Sequence, residues 1–210
     1  MSSSESAPES AAPTPGIDQA KKTLRREAAQ RRAAAAAAHP EAGDKLCAAL
    51  LAAVEIPRDA AVSAYWPMRE EIDPRPAMRA LHARGHPVAL PVMPGKAQPL
   101  VFRAWCPDQE MVDGGFGTRI PPAEAPEIQP QILLVPLLAF DADGYRLGYG
   151  GGFYDRTLAR LRRLNPLTRG VGVAYAAQRT ETPLPRGAYD EPLDLVVTEQ
   201  GVALRRDGRG

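Results

Sequence analysis

Residues 133–158 read LLVPLLAFDADGYRLGYGGGFYDRTL: an apolar run, a glycine-rich loop and the start of a helix-period segment in direct succession. The slightly wider run 132–140, ILLVPLLAF, is the most apolar in the chain, and its length and flanks suit a single buried central strand. The segment 154–164, YDRTLARLRRL, is an amphipathic helix, with Tyr154, Leu158 and Leu161 on one side and arginines elsewhere. Strand, glycine turn and helix in that order form one unit of a layered α/β fold. In such sheets ligands bind beyond the carboxyl ends of the strands, which is where the loop 146–155 falls.

Outward from that unit, strands and helices alternate. After Asp18, a helix N-cap, QAKKTLRREAAQRRAAAAAA reads as one strong helix. Pro40 breaks it and opens the next helix, continued by DKLCAALLAAVE. AAVSAYW is a strand ended by Pro67, and Asp73 with Pro74 starts a helix that runs to Arg84 and stops at Gly85. PVALPVM and LVFRAW are short strands around a Pro/Gly turn, and residues 107–130 read as a long loop. GVGVAYA and LDLVVT are two more strands after the amphipathic helix. No internal repeat is present. The expectation is a single α/β domain over residues 17–205, with a mostly parallel central sheet flanked by helices. Residues 1–16 are Ser, Ala, Pro and Glu with almost no large apolar side chains, and are expected to be a disordered tail.

Composition narrows the function. The chain has 210 residues and a net charge of +1, so nothing draws it as a whole to nucleic acid or membrane. Any anion site must be local. Its 2 cysteines, Cys47 and Cys106, lie far apart, which suits a reducing compartment and argues against a disulfide scaffold or zinc knuckle. No apolar stretch reaches the roughly 18 residues of a membrane span, and MSSSESAPES lacks the features of a secretory signal. A cytoplasmic protein acting as a monomer is expected. No Ser-His-Asp set, H-E-x-x-H pattern or redox cysteine pair stands out. The 3 histidines, at 39, 82 and 86, are far from the glycine loop, which weakens any hydrolase built on a histidine base.

The loop itself carries the chemistry. Glycines let backbone N–H groups point at a ligand, and the following helix adds a partial positive charge, so together they make a phosphate cradle. A tight turn without a ligand is the plainer alternative. The three consecutive glycines Gly150, Gly151 and Gly152, between Arg146 and Asp155, favour a site. It is not a Walker loop, since Gly95-Lys96 is followed by Ala97, and Phe153 breaks the dinucleotide fingerprint begun by Gly148 and Gly150. Asp155, on the first helical turn, suits a Mg²⁺ that rides on nucleotide phosphates, or equally a carboxylate facing the helix dipole. Lys21 and Arg25 share a helix face and can clamp phosphates, although a solvated basic face has the same pattern. Trp66, with Glu70, Glu71 and Asp73 after it, can stack on and hydrogen-bond a heterocycle; a loop with an acidic N-cap is the alternative. DADG at 141–144 is a turn rather than a calcium loop, and His82 and His86 are spoiled as a metal pair by Gly85 and Pro87. Asp190 and Asp194 precede the last strand, where they add acids near the site or merely start the strand.

The long stretch 133–158, KKTLRREAAQRR, YWPMREEID and YDEPLDLVVTE together resemble the 5-formyltetrahydrofolate cyclo-ligase family, over residues 20–200. The chain departs from the family's pattern at Tyr189, where a His is frequent, at Pro122, where an acid is common, and at Tyr149 and Gly151, where some members carry Arg and Lys. The resemblance implies an ATP- and Mg²⁺-dependent ring closure of 5-formyltetrahydrofolate, with or without a polyglutamate tail, to 5,10-methenyltetrahydrofolate, ADP and phosphate. It implies that Lys21 and Arg25 hold ATP, and that Arg146, Leu147, Gly148, Tyr149, Gly150, Gly151, Gly152, Phe153 and Tyr154 wrap it. Tyr149 to Phe153 would also face the folate, with Trp66 and Glu71 against the pterin. Asp155 would bind the metal, with Asp190 as a second candidate, and Arg146 and Asp155 are the expected catalytic pair. The rival readings are another ATP-dependent enzyme of small-molecule metabolism and a folate- or nucleotide-binding protein without turnover.

Overall fold

A computed structural model describes residues 15–115 and 117–206. The tail expected over residues 1–16 therefore lies, through residue 14, outside the described residues. In chain order the elements are α1 (Pro15–Ala38), α2 (Ala42–Ala53), β1 (Val62–Ser63), α3 (Arg75–Ala83), β2 (Val88–Val92), β3 (Val101–Trp105), β4 (Val112–Asp113) and β5 (Arg119–Ile120). There follow β6 (Ile132–Pro136), β7 (Ala139–Phe140), β8 (Arg146–Leu147), α4 (Phe153–Leu164), β9 (Arg169–Val173), a 3-10 turn at Ala176–Gln178, β10 (Leu195–Thr198) and β11 (Gly201–Arg205).

Seven strands form the central sheet in the order β11-β10-β9-β6-β1-β2-β3. The five inner strands are parallel, and β11 and β3 pair antiparallel at the two edges. The fold is thus the layered α/β arrangement expected, with β6 in the middle. Along β6 the side chains alternate: Ile132 and Leu134 join the core beside α2 and α3, while Leu133 and Val135 join the core beside α4. A strand covered on both faces reads as a continuous apolar run, because neither side meets water. Leu158 anchors α4 in the second core with no exposed surface. Truncating it to Ala would cost about 2–5 kcal/mol through lost burial and the cavity left behind. A third, smaller cluster of Ala28, Leu138, Ala139, Leu147 and Leu184 fastens α1 to the segment after β6.

Four expectations need correction. The first helix starts at Pro15, ahead of the N-cap expected at Asp18, because proline is well tolerated in a first turn, where its missing N–H has no helical acceptor. ILLVPLLAF is two strands rather than one: β6 ends on Pro136, and β7 pairs antiparallel with β8 as a small hairpin. The DADG turn closes that hairpin, with Asp141 Oδ1 accepting the N–H groups of Asp143 and Tyr145. Residues 107–130 hold the short β4–β5 ribbon. Finally, the chain turns at Gly201 (φ +112°) into an edge strand, β11, beyond the last strand expected. The glycine loop still follows β6 and precedes α4, but through the β7–β8 hairpin, which lifts it clear of the sheet and under α1.

Candidate active site

Helix α1 brings a row of cations to the glycine loop. Lys21, Arg25, Ala28 and Arg32 are spaced by four, three and four residues, which puts them on one face. Ala28, fully buried, seats that face against the hairpin cluster, so the cations on either side of it must reach the loop. Arg25 Nε donates to the carbonyl of Gly148 at 2.9 Å. Arg32 Nη1 donates to the Tyr149 hydroxyl at 2.7 Å. Lys21 Nζ donates to Asp190 Oδ2 at 2.6 Å, so the last acidic segment closes on the same helix.

The loop's conformation depends on glycine at two positions. Gly150 (φ +101°) and Gly152 (φ +61°) have left-handed backbones that cost other residues steric strain. A Cβ at Gly150 would sit 3.2 Å from Arg25 Cζ, and one at Gly152 would sit 2.7 Å from Arg156 Nη1. Two guanidinium groups therefore flank the loop crest at points where only glycine leaves room. Arg156 Nη2 donates to the Gly151 carbonyl at 2.6 Å, and its Cζ lies 5.3 Å from the centre of the Phe153 ring. The carbonyls of Gly148 and Gly151 thus face arginines. Among the described residues, the N–H groups of Gly150, Gly151 and Gly152 donate to no protein acceptor. Gly152 caps α4 without a side-chain cap, so the positive end of the helix opens onto this loop.

Arg146 and Asp155, expected as the catalytic pair, hold each other. Arg146 Nη2 donates to Asp155 Oδ1 at 2.8 Å, and Nη1 donates to the Glu191 carbonyl at 2.6 Å. The Glu191 N–H adds a third bond, to the same Asp155 Oδ1, at 3.1 Å. Arg146 is nearly buried and bonded to protein, so it braces the site rather than facing a ligand from its rim. Asp155 Oδ2 has no partner among the described residues. Asp190 Oδ2 also accepts the Gly187 N–H at 2.8 Å. The binding of Glu191 to Asp155 draws the Asp190 segment up to the start of α4, and Arg162 secures its far end through Glu191, Pro192 and Asp194. Asp194 is therefore a brace for Arg162 and for the Gly170 N–H.

On the other side of the loop lies Glu71, with its side chain only 3% exposed. Its Oε1 accepts from the Tyr149 hydroxyl at 3.0 Å, and its Oε2 accepts from the Met68 N–H at 2.9 Å. Burial pushes the Glu71 carboxyl above its ordinary value, opposed by the Met68 hydrogen bond, the Arg32 charge and the Tyr149 hydroxyl. Burial and the neighbouring Glu71 charge also push the Tyr149 phenol up. Trp66 is half-buried, with the Arg75 guanidinium 5.2 Å from its ring centre and itself paired to Asp73. One indole face is therefore covered by an arginine. Leu147 is buried in the hairpin cluster, and the rings of Phe153 and Tyr154 pack on the core beside α4.

The structure thus unites Lys21, Arg25, Gly148, Tyr149, Gly150, Gly151, Gly152, Glu71, Asp155 and Asp190 around one loop. It turns the side chains of Leu147 and Tyr154 inward and leaves Phe153 half-buried, its ring against Gly151 and under the Arg156 guanidinium. Arg32 and Arg156 were missed by sequence reasoning. Arg32 carried a legible signal, lying seven residues beyond Arg25 on the same helical face; Arg156 carried none apart from its place after Asp155. Among the described residues no three His, Cys, Asp or Glu side chains converge on a metal. The oxygen donors Asp155 and Asp190 nevertheless suit Mg²⁺, which takes one or two carboxylates and fills its remaining positions with water and substrate phosphates. His82 and His86 line a surface pocket of about 450 Å³ with Trp105 and Cys106, away from the loop. No helix among the described residues is long and apolar enough to cross a membrane.

Comparison with known proteins finds clear relatives of this chain. The chain is 38% identical over 137 residues to a 5-formyltetrahydrofolate cyclo-ligase of Escherichia coli (strain K12), covering 63% of this chain and 74% of that one. It is 36% identical over 142 residues to a 5-formyltetrahydrofolate cyclo-ligase of Haemophilus influenzae, covering 65% and 74%. The NMR structure of Aquifex aeolicus 5,10-methenyltetrahydrofolate synthetase superposes with a TM-score of 0.73 at 32% identity, covering 90% of this chain and 95% of that one. A 5,10-methenyltetrahydrofolate synthetase from Mycoplasma pneumoniae, 22% identical, shares the fold with a TM-score of 0.65. The model of one family matches residues 17–199. That span takes in all of α1 but its first two residues, the glycine loop and the Asp190 segment, and the chain belongs to the 5-formyltetrahydrofolate cyclo-ligase family.

Proposed function

We propose that this protein closes 5-formyltetrahydrofolate to 5,10-methenyltetrahydrofolate, converting ATP to ADP and phosphate. The observation that carries the reading is the loop crest: three glycine N–H groups without protein acceptors, with Lys21, Arg25 and Arg156 around them. Such a cradle suits a polyphosphate. The formamide oxygen is a poor leaving group and N10 a weak nucleophile, so the oxygen must first be activated. Transfer of the γ-phosphoryl group to that oxygen breaks the bond to ADP and makes an imidate-like phosphate. N10 then attacks the formyl carbon, loses its proton to solvent, and phosphate departs with the former formyl oxygen. Phosphoryl transfer of this kind is mostly positioning and charge stabilisation, which is why the site holds glycines, cations and carboxylates and no covalent nucleophile.

Within it, Lys21 and Arg25 bind the phosphates from α1, and the N–H groups of Gly150 to Gly152 bind them from below. Arg146 holds Asp155 and the Asp190 segment at the loop. Mg²⁺, held by Asp155 with Asp190, would supply positive charge to the phosphate oxygens. Glu71, with two carboxylate lone pairs beyond those already bonded, and Trp66 receive the pterin under the half-exposed Tyr149 ring. Absorbance on mixing the protein with 5-formyltetrahydrofolate and Mg-ATP tests this. An ATP-dependent rise of the methenyl product is expected. Folate binding without product would overturn it in favour of a non-catalytic binder, and ADP release only with another acceptor would make it a different ATP-dependent enzyme.

A further inference from the structure

Arg32 is among the least exposed charged residues of those described, with 3% of its side chain exposed, and it lies between the two halves of the site. A cation so placed loses most of its hydration and needs local compensation. Its compensation is specific: the Tyr149 hydroxyl at 2.7 Å, the face of the Tyr149 ring 5.6 Å from Cζ, and the carboxylates of Glu71 and Glu70, each 3.7 Å away. Its Nε is buried with no acceptor, so the charge is not balanced by hydrogen bonds alone.

The order of the bonds has a direction. Arginine can only donate, so Tyr149 must accept from Arg32 and give its own proton elsewhere. The oxygen within reach is Glu71 Oε1, at 3.0 Å. A proton on Glu71 Oε1 would face the phenol proton head-on, and one on Oε2 would compete with the Met68 N–H that this oxygen accepts at 2.9 Å, so the chain Arg32 to Tyr149 to Glu71 is best met with both carboxylate oxygens as acceptors. We propose that Arg32 is a positioning residue that fixes the loop's Tyr149 and the acid Glu71 in one donor-to-acceptor order, presenting Glu71 to the substrate's ring N–H groups as an ionised acceptor. This rests on the cyclo-ligase reading. It adds a residue to that site and joins the phosphate side, where α1 carries Lys21 and Arg25, to the heterocycle side.

The charged and titratable groups around Glu71 come from every neighbouring element: Arg32 from α1, Tyr149 from the loop, Tyr154 from α4, Tyr65 from the segment after β1, and Glu70 and Asp73 from its own segment. Arg32 is the one cation among them. Its removal must make ionised Glu71 harder to keep.

The test is Arg32→Met, which keeps length and apolar bulk, with Arg32→Lys as the conservative variant. KM for 5-formyltetrahydrofolate and kcat are measured from pH 5 to 9, after wild-type product formation has been established. The expected result for Arg32→Met is a rise in folate KM of at least about 10-fold, the size of one charge-assisted contact, with kcat lowered less. The acid limb of kcat/KM should move to higher pH, and Arg32→Lys should recover part of both effects. A purely structural Arg32 would lower activity evenly at all pH values, and that outcome overturns the proposal. If Arg32→Met fails to fold, the acid limb of Arg32→Lys decides: a shift supports the proposal and an unmoved limb overturns it. A wild-type protein without ATP-dependent product would instead sink the cyclo-ligase reading, so the two failures are distinguishable.

Discussion

Arg146 and Asp155 form a 2.8 Å ion pair across the glycine loop, with the arginine side chain 5% exposed and the carboxylate 25% exposed. The same Asp155 oxygen accepts the Glu191 N–H, and the same arginine donates to the Glu191 carbonyl. One residue pair therefore locks the base of α4 to the chain that carries Asp190. Arg146→Met should leave Glu191 and Asp155 each short of a donor. The expected loss is about 1–3 kcal/mol, the worth of hydrogen bonds made by a charged group, read by urea unfolding. Unchanged stability would mean water replaces the guanidinium without penalty.

Asp155 Oδ2 has no protein partner among the described residues, which leaves it open to the Mg²⁺ proposed above. Asp155→Asn keeps the shape and an acceptor for Arg146 but removes the negative charge. Turnover should fall at least about 100-fold, the scale on which a single electrostatic contact to the transition state is felt. The thermal midpoint should fall too, because the nearly buried Arg146 loses its carboxylate partner, so turnover is compared at a temperature where both proteins are folded. Wild-type turnover in a folded Asp155→Asn protein would remove the metal assignment.

Gly150→Ala should be harmful for two separable reasons. The left-handed backbone costs about 1–2 kcal/mol for a residue with a Cβ, and the new methyl would press on the Arg25 guanidinium at 3.2 Å. Lower stability and a raised KM for ATP are expected. Gly148→Ala is the control, because a Cβ there meets nothing within 4 Å. Equal behaviour of the two variants in unfolding and ATP titrations would contradict the account of the loop.

Glu71 should also leave a signature in stability against pH. Its folded pKa is raised above the ordinary 4.5, chiefly by burial, so the native state holds its proton more tightly than the unfolded chain. Where the native state binds more protons, stability falls as pH rises. The wild type should therefore lose stability relative to Glu71→Gln as pH climbs from about 4.5 through the folded value, and then level off. Urea unfolding of both proteins at a series of pH values checks this. Parallel curves would show that burial does not control Glu71.

The alternation of strands and helices was legible because burial leaves a periodic trace. ILLVP reads as apolar on both faces since β6 is covered on both, and Leu158 and Leu161 mark the buried side of α4. The glycine loop was legible for the same local reason: positive φ at Gly150 and Gly152 is a property of single residues. The split at Pro136 was missed because a buried strand and a buried hairpin have the same apolar composition, and only pairing partners separate them. Strand β11 was missed because an edge strand half open to water carries no strong pattern.

By itself, then, the sequence determined the α/β class, the place of the glycine loop after the central strand, and the residue types of the candidate site, because each depends on local backbone preference or on burial. Tertiary structure alone decided what those residues do to each other. Lys21 meets Asp190 across 169 positions, Arg32 meets Tyr149 across 117, and Tyr149 meets Glu71 across 78. No spacing rule reaches that far. Whether a charged side chain faces a ligand, braces a loop or compensates a buried partner depends on which oppositely charged groups the packed helices and sheet bring within a few ångströms of it.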